Sequence, residues 1–352
     1  AFDLMEKDYL YRRDFTLTGD DLACEVAKAV FAASEEANAP LRDRDVVAVT
    51  ESVVARTQGN YATLEQIAAD VRAKIPAGED GRRVAAIVFP ILSRNRFSLL
   101  LKAISMGVDK LYIVLKYPAD EVGNELISLD KLEEKGVDPY RDVLTEAKYR
   151  ELFGENVLHP FTGMDYVKLY REYARNSEIL LANDARAVLP YAQDVIACDI
   201  HTRARTVRLL KEAGARTALT LADLLNAPVD GSGYNPDFGL YGSNLATENS
   251  VKLFPRDCEK FVEKLAGMLR AESGKQVEVM VYGDGAFKDP VGGIWELADP
   301  VVSPAYTEGL DGRPNEIKLK YLADTQLRGE TREQAAEDAR KAIRAKAACL
   351  TG

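Results

Sequence analysis

The chain is short of histidine, cysteine and tryptophan. His159 and His201 are its only histidines in 352 residues, too few for a multi-histidine zinc centre. Its four cysteines, Cys24, Cys198, Cys258 and Cys349, lie far apart with no C-x-x-C, so they read as reduced, mostly buried thiols and suggest a cytoplasmic address. No run of 18 apolar residues occurs, so nothing reads as a transmembrane helix. A basic excess is missing as well. The net charge of −10 argues against a general nucleic-acid or membrane-surface partner, and leaves room for local basic clusters that bind one anion. The opening A-F-D-L-M-E-K-D-Y has acids where a signal peptide needs a basic start and an apolar core.

What is present is an ordinary globular balance, 47 % hydrophobic and 29 % charged. The length suits two domains, or one large α/β domain with an insertion. Residues 9–18 read as a short strand or lead-in, with Thr18 or Asp20 to cap a helix over about 21–37. A compact buried strand over 45–50 runs into Glu51, Ser52 and Arg56, a polar and basic set that suits either a phosphate site or a capped surface turn. A helix over 62–74 follows, then a strand (84–89), a helix (97–105) and a strand (110–115). Between the first of these strands and its helix lies P-I-L-S-R-N-R. Arg94 and Arg96 there would present guanidiniums to an anion, or simply be solvated.

Residues 119–173 are helical and charged, with Tyr140, Tyr149, Phe153, Tyr166 and Tyr170 as packing residues and His159 as structural or incidental. A second α/β unit has strands near 179–182 and 194–200 and a helix over 202–213. It places Asp199 and His201 at a strand's C-terminal end, to orient a substrate or to cap the next helix. Residues 228–250 form the longest irregular stretch and suit a binding loop. Helices are expected over 257–271 and 331–347.

Between 276 and 290 runs Q-V-E-V-M-V-Y-G-D-G-A-F-K-D-P. Alternating Val277, Val279 and Val281 mark a strand, and Gly283-Asp284-Gly285 then leaves one carboxylate at a tight turn. Such an acid holds a divalent metal against a phosphate, or closes an ordinary hairpin.

Three segments in order resemble the conserved blocks of the coenzyme F420 gamma-glutamyl ligase family: V-V-A-V-T-E-S-V-V-A-R-T-Q-G, G-L-Y-G-S-N (239–244) and V-Y-G-D-G-A-F-K-D-P. The S-R-N-R-F-S, C-D-I-H and W-E-L-A-D-P-V-V-S-P-A-Y-T blocks look like a longer bacterial branch. The resemblance implies a mixed α+β ligase core over 1–88 and 235–352, with an α/β subdomain inserted at 89–234 to shape the acceptor site. It also implies GTP, Mg²⁺ or Mn²⁺, L-glutamate and a carboxylate acceptor that is phosphorylated before the glutamate amine attacks. Carried over residue by residue, Asp284 is a metal-binding acid and Arg56 stands where a phosphate-binding lysine would. Glu51 and Ser52 occupy the nucleotide-contacting pair, and Asn244 lies near the nucleotide. Lys288 joins Asp284 as a catalytic candidate, while the Arg94/Arg96 loop and Asp199/His201 are candidates for gripping the acceptor.

There are departures: Tyr241 stands where the family has its other metal acid, Gly285 replaces a usual threonine, and Arg56 replaces lysine. Glu51, Glu248 or Asp289 would restore the lost ligand. Rival readings are a folate-type gamma-glutamyl ligase, a metal-dependent phosphohydrolase and a non-catalytic nucleotide-binding protein. A homodimer is the candidate assembly.

Overall fold

A computed structural model of the chain describes residues 19, 21–94, 97–121, 123–283, 304–310 and 341, and the backbone of 286–288 and 295–297. The chain divides into two compact units, 1–307 and 308–352; the elements below lie in the first. In chain order they begin with α1 (Leu22–Glu36), β1 (Val46–Thr50), α2 (Glu51–Thr57), β2 (Tyr61–Thr63), α3 (Leu64–Lys74) and β3 (Val84–Val88). Next come α4 (Phe97–Met106), β4 (Lys110–Leu115), α5 (Leu129–Glu134), β5 (Leu144–Thr145), α6 (Glu146–Phe153) and α7 (Tyr166–Tyr173). β6 (Ser177–Leu181), β7 (Asp194–Ala197), α8 (Arg203–Glu212) and β8 (Thr217–Thr220) follow. The last are β9 (Asn244–Thr247), β10 (Ser250–Lys252), α9 (Cys258–Ser273), β11 (Glu278–Tyr282), β12 (Ala286–Lys288), β13 (Trp295–Leu297) and β14 (Ala305–Tyr306). The fold is α+β with mixed sheets.

The larger sheet has the order β5-β6-β4-β3-β7-β8, parallel except for β5. Its strands are short and apolar because helices cover both faces. Ile87, Leu111, Ile113 and Ile196 point to one face and pack with Ile67 and Val71 of α3 and Leu101 and Ile104 of α4. Ala86, Val88, Val114 and Val195 point to the other and pack with Leu210 of α8. β3, on the N-terminal side of the expected boundary at 88/89, is hydrogen-bonded in the middle of this sheet. At the α3–α4 contact, a Cβ on Gly107 would run into Val71, so the two helices approach closely only with glycine there.

The smaller sheet pairs β1 with β11 in parallel and β11 with β14 antiparallel. Val277, Val279 and Val281 are fully buried against α1 and α9. Burying one such valine contributes about 1.5–3 kcal/mol. A meander, β2-β10-β9, lies between the two sheets in the sequence order of its parts.

Several expectations change. Asp21, rather than Thr18 or Asp20, caps α1, its carboxylate accepting from the Cys24 N–H. β1 is only partly buried, with Val46 48 % exposed, because β11 is its sole partner among the described strands. Residues 51–57 are helix rather than loop, capped by the Thr50 hydroxyl. The charged 119–173 stretch forms three short helices separated by turns, and Tyr140 is 89 % exposed instead of packed. The irregular stretch ends at Ser243, because 244–252 forms a hairpin. The lead-in at 9–18 and, save for residue 341, the helix expected over 331–347 lie outside the described residues.

Candidate active site

The parallel pairing of β1 with β11 places Thr50 opposite Tyr282. Both strands therefore end at one edge, and the chain leaves it as Glu51-Ser52 on one side and Gly283 on the other. Two blocks more than 200 residues apart in sequence are thus adjacent in the fold. β12 pairs with β13, and residues 284–285 between β11 and β12 lie outside the described residues.

The third block arrives through a lysine that sequence reasoning missed. Lys252 Nζ donates to both carboxylate oxygens of Glu51, at 3.0 and 3.1 Å, and both side chains are buried. In the β9–β10 ladder, Lys252 stands opposite Asn244. One ammonium therefore ties the end of β1 to the Ser243-Asn244 segment. Lys252 lies between Val251 and Leu253, and alternation along the strand turns it away from their apolar side. That alternation was its only sequence signal. A buried charge of this kind persists where it is paired, and removing one partner leaves the other uncompensated.

The remaining residues separate into those at this edge and those elsewhere. Ser52 is half-buried in the first turn of α2, and its N–H donates to Thr50 Oγ1 at 3.4 Å. Arg56, in the last turn of α2, is exposed, and its side chain has no hydrogen bond or ion pair among the described residues. Asn244 opens β9 half-buried, whereas Glu248 is exposed in the turn between β9 and β10. The backbone of Lys288 lies in β12. Asp284, Gly285, Asp289 and Arg96 fall outside the described residues.

The oxygen donors at the edge are carboxylate, amide and hydroxyl, the hard set that suits Mg²⁺ or Mn²⁺. The Cys258 thiol is held protonated: burial, then the Glu51 charge, pushes it up to about 12. Both oxygens of Glu51 bond Lys252, and no three His, Cys, Asp or Glu side chains converge on a metal site among the described residues.

Tyr241 has a different role from the acid it replaces. Its ring is buried in the core of the larger sheet, and its hydroxyl donates to the carbonyls of Asp199 at 2.9 Å and Ala197 at 3.3 Å. Arg203 stacks over it, 5.0 Å from the ring centre. Burial drives its pKa far above the ordinary phenol value. The glycines around it are steric requirements. Gly239 has φ +52° and a Cβ there would strike the carbonyls of Leu221, Ala222 and Leu224; Gly242 has φ +73° and a Cβ there would overlap the Phe254 ring.

Asp199 and His201 do not act as a pair. One oxygen of Asp199 accepts from the hydroxyls of Thr202 at 2.5 Å and Thr206 at 3.1 Å, which ties down the start of α8, while His201 is exposed. His159 is structural. Its Nδ1 accepts from the N–H groups of Phe161 and Thr162 at 3.3 and 3.2 Å, so the proton sits on Nε2, which donates to Asp120 at 3.1 Å.

No curated protein and no solved structure matches the chain. A family model, F420-0:gamma-glutamyl ligase, matches residues 14–352. With its sequence blocks joined at one sheet edge and the match running almost end to end, the chain belongs to the F420-0:gamma-glutamyl ligase family.

Proposed function

We propose that the protein is a GTP-dependent amide ligase that adds L-glutamate to a carboxylate acceptor through an acyl phosphate. The observation that carries this reading is the Lys252–Glu51 pair, which joins the β1, β9–β10 and β11 ends into one polar edge. Nucleotide and carboxylate both bring negative charge, so cations have to gather where they meet. Arg56, Lys252 and Lys288 would supply those cations, and Asn244 and Ser52 would add hydrogen-bonding capacity without charge. Mg²⁺ or Mn²⁺ would be held from Asp284, with Asp289 or Glu248 as second acid, and would neutralise the phosphates. Glu51, tied to Lys252, positions that lysine.

The inserted sheet, with the Arg94 loop and the Asp199 strand end, would shape the acceptor side. The acceptor itself is a small carboxylate of F420 type or a related oligoglutamylated one, and a homodimer is the assembly we propose.

Thermal unfolding with GTP, ATP and GDP, each with and without Mn²⁺, tests the reading. A nucleotide at about 100 times its Kd should stabilise the fold by roughly 2.7 kcal/mol. The shift should require metal and vanish in Asp284→Asn. No shift with any nucleotide would remove the ligase reading.

A further inference from the structure

The short helix α2 is fastened at both ends to one stretch of chain, residues 252–256. At its first residue, the Glu51 carboxylate accepts from Lys252 Nζ. At its C-cap, the Gln58 side-chain amide engages both backbone groups of Arg256. Nε2 donates to the Arg256 carbonyl at 2.5 Å, and the Arg256 N–H donates to Oε1 at 2.8 Å. The spans agree. Seven helical residues rise about 10 Å, and the four steps from Lys252 to Arg256 reach at most ~14 Å. Exposed Arg56 lies in the last turn, between the two fastenings.

A helix of seven residues does not hold its place by itself. Val54 is buried in the core of the smaller sheet, and contacts at the helix ends decide where the exposed face stands. Gly59, with φ +60°, then turns the chain. Beyond that turn Asn60 is fully buried. Its Nδ2 donates to the Phe254 carbonyl at 2.5 Å, and its Oδ1 accepts from the Tyr234 N–H at 2.9 Å and from the Arg256 guanidinium. Gln58 is on the helix side of the turn, so it fixes the last turn of α2 where Asn60 fixes only the chain that follows. Its partner is a peptide group rather than another side chain, which leaves that partner little freedom. The role needs a donor and an acceptor on one side chain: glutamate lacks the donor, and methionine, of similar length, lacks the donor and offers only a weak acceptor.

We infer that Gln58 is a positioning residue. It holds the last turn of α2 so that the Arg56 guanidinium and the Lys252 ammonium stand at a fixed separation. The inference rests on the ligase reading, which gives both cations to the nucleotide phosphates. Without Gln58, Arg56 sits on a helix fastened to 252–256 at its far end alone. Affinity then falls although no atom that touches the ligand has been removed, because the cation must be ordered as the ligand binds.

The test is calorimetric titration of the full chain with GTP in the presence of Mn²⁺, for wild type, Gln58→Met, Arg56→Gln and the double variant. Cooperative thermal unfolding checks that each is folded, and Gln58→Ala takes the place of Gln58→Met if the latter is not. Gln58→Met should weaken GTP binding about tenfold, ~1.4 kcal/mol. In the Arg56→Gln background the same change should weaken it by no more than about twofold, because the guanidinium that Gln58 positions is gone. A merely structural role would give the same loss in both backgrounds. Unchanged affinity in Gln58→Met, or equal losses in the two backgrounds, overturns the inference and leaves the ligase reading standing. Absence of GTP binding by the wild type removes the ligase reading, and the role of Gln58 with it.

Discussion

Lys252 and Glu51 show how much can depend on one buried pair. Lys252→Met leaves the Glu51 carboxylate buried and uncompensated, so it should cost about 3–5 kcal/mol, read as a lower urea midpoint. Adding Glu51→Gln should recover most of that loss while nucleotide binding stays impaired. If the single variant is as stable as wild type, the pair does not hold the edge together. Cys258 gives a pH prediction. Its folded pKa is raised from 9.0 to about 12, so the folded protein keeps the thiol proton more tightly than the unfolded chain. Its contribution is complete below about pH 9 and is lost as pH rises from there toward 12. Urea unfolding over this range should show stability falling, and Cys258→Ala should lessen the decline. An equal decline in both proteins would exclude this thiol as a cause.

At the scale of elements, the Gly239–Asn244 segment is a strut between the two sheets. Tyr241 anchors it to the end of β7, and Lys252 beside Asn244 anchors it to the end of β1. Restoring the family's acid with Tyr241→Asp should therefore fail as a repair. It replaces a buried ring with an unpaired charge, should destabilise by about 3 kcal/mol or more, and should gain no Mn²⁺ affinity in a titration. Tyr241→Phe should lose only about 1 kcal/mol, the two-acceptor hydroxyl being its sole deletion. The long elements here were legible, because α3, α4, α8, α9, β4 and β11 carry clean periodicity. β2, β5 and β8–β10 were not. They are two to four residues long, and tertiary pairing rather than local pattern makes them strands.

At the scale of the whole molecule, the region from 89 to 234 is woven into what precedes it. β3 is a central strand of its sheet, and Ile67 and Val71 of α3, with Ile75 just after it, are fully buried in its core. Replacing 89–234 by a short linker should expose these residues and strand β3. The product should bind a hydrophobic dye and lose cooperative unfolding by calorimetry. A cooperative, soluble product would show that the remaining chain folds without it.

The sequence by itself determined the mixed α+β class, the family blocks and the valine-rich strand β11. Each depends on local spacing or on the wording of a short motif. Tertiary structure alone decided which blocks meet, that Lys252 joins them and that Tyr241 is a strut. Those outcomes depend on strand order and on which side chains find partners across long stretches of chain. Such contacts form between residues that are distant in sequence, so no local pattern encodes them.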